Sequence, residues 1–190
     1  MPSESVDAVT LRSVLIYVPD KLSAHREFFR VLRPGGRLSY FEPINAITRD
    51  DRGDGFWGYD PGPVAHLADR VVAVFAARQP PGDPMMDFKE RDLAAFAEDA
   101  GFDPVRLDVD INYSHVIPAE HRLTWEQWLK QSGNPKIPSI GEAIAEALTA
   151  EEQQEFASWM RPQVESGRGI FRTGRAFVTA RRPEVEAPRA

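Results

Sequence analysis

The sequence predicts an α/β fold on three observations. Residues 6–11 form a short apolar run with β-branched Val6, Val9 and Thr10, the composition of a buried strand. An amphipathic segment follows, stops at Pro34-Gly35-Gly36 and leads into strand-like residues 37–41. Strand, helix and strand with tight joints make a βαβ unit, which implies a parallel pair and a right-handed crossover. Farther on, Val105, Leu107, Val109 and Ile111 alternate with Arg106, Asp108, Asp110 and Asn112, the period of a strand with one buried face.

Each element has its own local signal. Asp20 suits the N-cap of the first helix, where Leu22, Phe28, Phe29 and Leu32 share a face. Lys21, Arg26, Glu27 and Arg30 fall elsewhere, and His25 among them is expected to be solvated. Between Pro43 and Asp60 the periodicity fails. Gly53, Gly55, Phe56, Trp57, Gly58 and Tyr59 there suggest a loop or lid. Val64, Leu67, Val71, Val74 and Phe75 mark a helix that ends before Gln79-Pro80-Pro81-Gly82.

Asp87-Phe88-Lys89-Glu90 has capping-box form ahead of the stripe Leu93, Phe96, Ala97 and Ala100, which ends at Gly101. Thr124-Trp125-Glu126-Gln127 opens a short helix. Thr149-Ala150-Glu151-Glu152 opens a longer one, with Phe156, Trp159, Met160 and Val164 inward. Residues 170–182 read as a last strand and 184–190 as a frayed tail.

Composition narrows the function classes. The 190 residues are 42% hydrophobic, which suits one compact domain, and carry a net charge of -6. An acidic balance argues against a nucleic-acid or anionic-membrane partner, and Arg172, Arg175, Arg181 and Arg182 read as a solvated strand face. Without cysteine there is no thiolate nucleophile or thiolate metal site. His66, His115 and His121 lack ligand spacing, so no metal site is expected. No long apolar stretch or basic leader occurs, and a cytoplasmic location is the expectation.

Two segments carry a family resemblance. Residues 12–21, RSVLIYVPDK, resemble the turn after the fourth strand of class I S-adenosylmethionine (SAM) dependent methyltransferases. Residues 30–38, RVLRPGGRL, resemble the helix end and entry into the fifth strand of that family. The resemblance implies a Rossmann-like sheet in the order three-two-one-four-five-seven-six, with the seventh strand antiparallel. This chain then holds a partial, truncated domain over residues 1–183, with strands equivalent to the fourth to the seventh. Residues 43–86 form a substrate-side insertion and residues 113–166 a helical one.

The family's glycine-rich turn, which lets backbone approach the cofactor, has no counterpart in these residues. The implied cofactor is SAM, the implied partner a small-molecule methyl acceptor, and the isolated chain is expected to need the missing part for activity. Its first strand then stands at a sheet edge, open to self-association or a partner chain. The alternative is a non-catalytic remnant or interaction module that pairs through that edge.

Thr10, Leu11 and Arg12 end the first strand, where open parallel sheets bind ligands, and are the cofactor-side candidates. Glu42 either faces substrate as an acid or base or caps neighbouring amides, and Asn45 shares its position. Trp57 and Tyr59 either shield a methyl transfer as a lid or plug the core beneath a loop, and Asp60 suits an N-cap. His115 or His121 is a further candidate base, with a surface role as the alternative for both.

Overall fold

The computed structural model describes residues 1–48, 55–78, 82–133 and 137–184. The expected tail after Glu184, residues 49–54 of the expected lid, and Gln79, Pro80 and Pro81 therefore lie outside the described residues. The chain divides into two compact units. Unit 1 holds Met1–Arg49, Gly82–Ile111 and Thr173–Ala190, and unit 2 holds Asp50–Pro81 and Asn112–Arg172.

Unit 1 is an α/β layer built on a four-stranded sheet of order β1-β2-β4-β3. Its strands are β1 (Val6–Arg12), β2 (Leu32–Pro43) and the greater part of β3 (Val105–Ser114) and of β4 (Phe171–Arg181). β1 pairs in parallel with β2, and β2 pairs antiparallel with β4. This is the order and direction the resemblance implies for fourth, fifth, seventh and sixth strands.

Helix α1 (Lys21–Val31) makes the crossover, and a four-residue helix α2 (Asn45–Thr48) follows β2. Register places Leu38 opposite Val9 and Ala180, and Tyr40 opposite Leu11 and Val178. Those pairs face a core shared with Leu93 and Ala97 of α4 (Glu90–Asp99). Burying such side chains contributes about 1.5–3 kcal/mol each for the larger ones. On the opposite face Phe41 lies across from Phe177, ring centroids 5.2 Å apart, and Phe177 is 44% exposed.

Four expectations need correction in unit 1. Asp20 does cap α1, its carboxylate accepting from Ser23 N–H at 2.8 Å. The inner face of α1, however, is led by Lys21 and His25 at 3% and 0% exposure, so His25 is not solvated. The α4 cap is the Asp92 carboxylate accepting from Lys89 N–H at 2.7 Å, while Asp87 pairs with Lys21 instead. β2 begins at Leu32, with Pro34-Gly35-Gly36 inside it and Gly35 at φ 77°. Finally, Val109 and Ile111 are 39% and 46% exposed, because β3 is an edge strand whose outer half lies beyond the α1–α4 cover.

His25 sets a pH dependence. Nδ1 lies 2.7 Å from Lys21 O, which only accepts, so Nδ1 carries the proton. Nε2 faces the Tyr40 hydroxyl at 2.9 Å, and that hydroxyl also lies 3.1 Å from Leu93 O. Burial lowers the imidazole pKa from its ordinary 6.5, against the Lys21 carbonyl, which raises it. The folded state then takes up its proton at lower pH than the unfolded state does. Stability is expected to fall as pH drops below about 6.5 in urea titrations, and His25→Phe should flatten that slope.

Unit 2 is helical, with α3 (Ala65–Arg78), α5 (Trp125–Leu129), α6 (Ile140–Ala147) and α7 (Ala150–Ser166). Leu67, Val71 and Phe75 of α3 meet Trp128, Ile140, Phe156, Met160 and Val164 in one cluster. Thr124 and Thr149 cap α5 and α7 as expected, and Ser139 caps α6. Trp159 departs from its expected inward position. It is 41% exposed, and its indole N–H donates to Asp60 O at 2.9 Å.

Candidate functional site

The carboxyl end of β1 is built around a tight turn. Ser13 takes φ 52°, a left-handed conformation uncommon outside glycine, and its N–H donates to Phe41 O at 2.9 Å. The chain then enters a 3-10 turn, Leu15–Tyr17, whose leading amides have no partner in the turn itself. Glu42 supplies it. One carboxylate oxygen accepts from Val14 N–H and Leu15 N–H, each at 2.9 Å, and the other accepts from Ile16 N–H at 3.3 Å. The β1–β2 register makes this reachable, since Arg12 stands opposite Phe41 and Glu42 is the next residue.

Glu42 is fully buried. Burial raises its pKa, opposed by the three amides and by the Lys21 charge. Of its two sequence-level roles, the geometry displays the capping one. Tyr40, behind it in the core, is pushed above its ordinary value of 10.0 by burial and by the Glu42 charge.

The far end of the turn is pinned by Lys21. Its ammonium donates to Val18 O at 3.1 Å, Pro84 O at 3.0 Å and Asp87 Oδ1 at 2.5 Å. The same ammonium stands 4.7 Å from the centre of the Phe88 ring. Asn45 ties into this segment by donating from Nδ2 to Met85 O at 3.1 Å. Thr10 and Arg12 are exposed at the strand end, Arg12 lying 6.0 Å from the Phe41 ring centre, while Leu11 is half-buried. Glu42 takes up the Val14, Leu15 and Ile16 amides, which leaves Thr10 and Arg12 as exposed side chains at the strand end.

In unit 2 the aromatic segment splits between two roles. Phe56 and Tyr59 exchange N–H to O bonds of 2.8 and 3.1 Å and bury their rings at 1% and 5% exposure, forming the plug. Burial also raises the Tyr59 pKa. Trp57 turns outward at φ 53° and 40% exposure, its ring 4.7 Å from those of Phe56 and Phe75. Asp60 Oδ1 accepts from Gly62 N–H at 2.9 Å, an Asx turn ahead of the 3-10 turn Gly62–Val64, whose N-cap is Pro61 and not the expected Asp60.

Beside this segment lies a cleft of about 580 Å³, whose lining includes Gly58, Asp60, His115, Arg168 and Gly169. Trp57 and Tyr59 do not line it, so His115 is the sequence candidate found there. Thr10, Leu11, Arg12, Glu42 and Asn45 come together in unit 1, and Trp57, Tyr59 and His115 belong to unit 2.

Sequence reasoning missed Ser13, Lys21 and Arg168. Lys21 had a signal, since it shares a helical face with His25 and Phe28 at spacings of four and seven. Among the described residues no group of three or more His, Cys, Asp or Glu gathers as a metal site. Among the same residues no helix is long and apolar enough to cross a membrane.

Residues 1–40 match the family model of a methyltransferase domain. The match spans β1, the Glu42-capped turn, α1 and Pro34-Gly35-Gly36, where the resemblance was read, and bears that resemblance out. No curated protein matches the chain. Among solved structures, it is similar to a proposed methyltransferase from Bacillus halodurans, at 19% identity and TM-score 0.46, covering 96% of this chain and 72% of that one. It is also similar to phosphoethanolamine N-methyltransferase 2 of Haemonchus contortus in complex with S-adenosyl-L-methionine, at 14% identity and TM-score 0.39, covering 96% of this chain and 34% of that one. A third is the YcgJ protein of Bacillus subtilis, at 12% identity and TM-score 0.46, covering 97% and 67%. The chain thus spans between about a third and three quarters of these proteins' lengths.

Proposed function

We propose that this chain supplies the acceptor-side part of a SAM-dependent methyltransferase, with Thr10, Leu11 and Arg12 bordering the cofactor. The methyltransferase-domain match over residues 1–40 carries this reading, because it falls on the turn that Glu42 and Lys21 hold rigid. SAM, when bound, offers an electrophilic methyl on a sulfonium. Transfer of that methyl depends on alignment and exclusion of water more than on a strong base. Glu42 is a positioning residue in this scheme and Asn45 is an acceptor-side candidate in unit 1; in unit 2 Trp57 is a separate acceptor-side candidate and Tyr59 supports its loop from beneath.

The glycine-rich loop that the family uses for SAM does not occur in these 190 residues, so binding needs that loop supplied. Calorimetry tests this. The chain alone should give no heat with millimolar SAM, and co-expression with a strand–glycine-loop–helix segment should restore binding. Absence of heat in the complemented protein would sink the reading.

A second reading has its own observation. β1 stands at the sheet edge among the described residues, which suits recruitment of a strand-bearing partner. Concentration-independent monomeric sedimentation, without partner capture through β1, would remove it.

A further inference from the structure

We propose that the unit 2 cleft recognises a small zwitterion of the α-amino-acid class, its carboxylate at Arg168 and its ammonium at Asp60. Both residues line the same cleft of about 580 Å³ and both are exposed. They do not pair with each other among the described residues. Arg168 Nε donates to Ser166 Oγ at 3.2 Å, and Asp60 Oδ1 accepts from Gly62 N–H at 2.9 Å.

Each of those bonds orients a charged group without exhausting it. A guanidinium has five N–H donors in a planar fork that matches a carboxylate, and a carboxylate has about four acceptor positions. A simple anion entering this cleft meets Asp60 as a like charge, and a simple cation meets Arg168. A ligand bearing both signs a short distance apart satisfies both.

The walls support a small ligand. Gly55, Gly58 and Gly169 line the cleft as bare backbone, and close approach keeps them so. A Cβ at Gly55 would strike Tyr59 O, one at Gly58 would strike Ile170 O, and one at Gly169 would lie 2.8 Å from Gly58 O. Val116 and Ile170 add apolar surface suited to an aliphatic side chain, and His115 adds a hydrogen-bonding partner for the ligand's polar end.

The inference concerns recognition by unit 2 alone and stands apart from the methyltransferase reading. Recognition itself is measured without SAM, so the two readings fail separately. L-valine is titrated into the full chain by NMR, alongside isovalerate and isobutylamine, which each lack one of its charges. Valine is expected to bind roughly tenfold more tightly than either half. Arg168→Gln should bring valine down to the affinity of isobutylamine, and Asp60→Asn, which keeps the Gly62 acceptor, down to that of isovalerate. Val116→Trp, which adds bulk to the cleft wall from an exposed position, should weaken valine binding with thermal stability unchanged. Equal binding of the three probes, indifference to Arg168→Gln and Asp60→Asn, or no valine binding at all would overturn the proposal. Valine binding with no SAM binding in the complemented chain would keep the cleft and dismiss the methyltransferase reading.

Discussion

Glu42→Ala is expected to destabilise unit 1 by about 4 kcal/mol, read as a lower urea midpoint at unchanged slope. The substitution removes the acceptor for Val14, Leu15 and Ile16 N–H, leaving those amides without a carboxylate where Leu15 and Ile16 are buried. Glu42→Gln separates this from simple loss of volume. The amide retains one acceptor oxygen, enough for the Val14 and Leu15 bonds, but turns an N–H toward Ile16. About half the loss should therefore remain. Equal stability of Glu42→Gln and the parent would show that the carboxylate's charge contributes nothing to the turn. If Glu42 were a base facing substrate, Glu42→Gln would instead leave the urea midpoint intact and abolish methyl transfer.

Lys21→Met is the second large effect, with an expected loss of about 3 kcal/mol. Methionine keeps the packing against Phe88 but gives up the ammonium that joins Val18 O, Pro84 O and Asp87. Asp87 is partly exposed and can turn to water, which limits the damage to the two carbonyls. Hydrogen exchange should show the consequence locally, with faster exchange at Val18 and across the turn before exchange rises in β2. Uniform loosening of the whole unit would mean that Lys21 acts as ordinary core and not as a clamp on the turn.

The elements whose signal is local were legible in the sequence. Asp20 needs only Ser23, three residues away, to act as a cap, and Thr149 needs only Glu152. Leu67, Val71 and Phe75 face one way because helical spacing requires it. Alternation in β3 told which side Val109 and Ile111 would take, but not whether anything would cover it. Cover depends on strand order, and among the described residues β3 has only β4 beside it.

The site was legible only as far as sequence position carries. Glu42 could be placed at a strand end, but its role depends on a turn 26 to 28 residues earlier being brought beside it by register. His25 looked solvated because charged neighbours flank it in sequence, yet Tyr40 and the Lys21 carbonyl give it a buried place. Trp57 and Tyr59, two residues apart, share the lid-or-plug alternative in the sequence. The left-handed backbone at Trp57 and the Phe56–Tyr59 bridge send them to opposite sides.

The most direct test of the cofactor-bordering role is an amide chemical-shift titration of the chain with SAM, in complex with a segment supplying the strand and glycine-rich loop. The turn that Glu42 caps predicts shifts concentrated at Thr10, Leu11, Arg12 and Ser13, with Val14, Leu15 and Ile16 responding weakly because their amides stay on Glu42. Binding that leaves residues 10–13 unmoved, or shifts confined to unit 2, would contradict the assignment of the β1 end as the cofactor border.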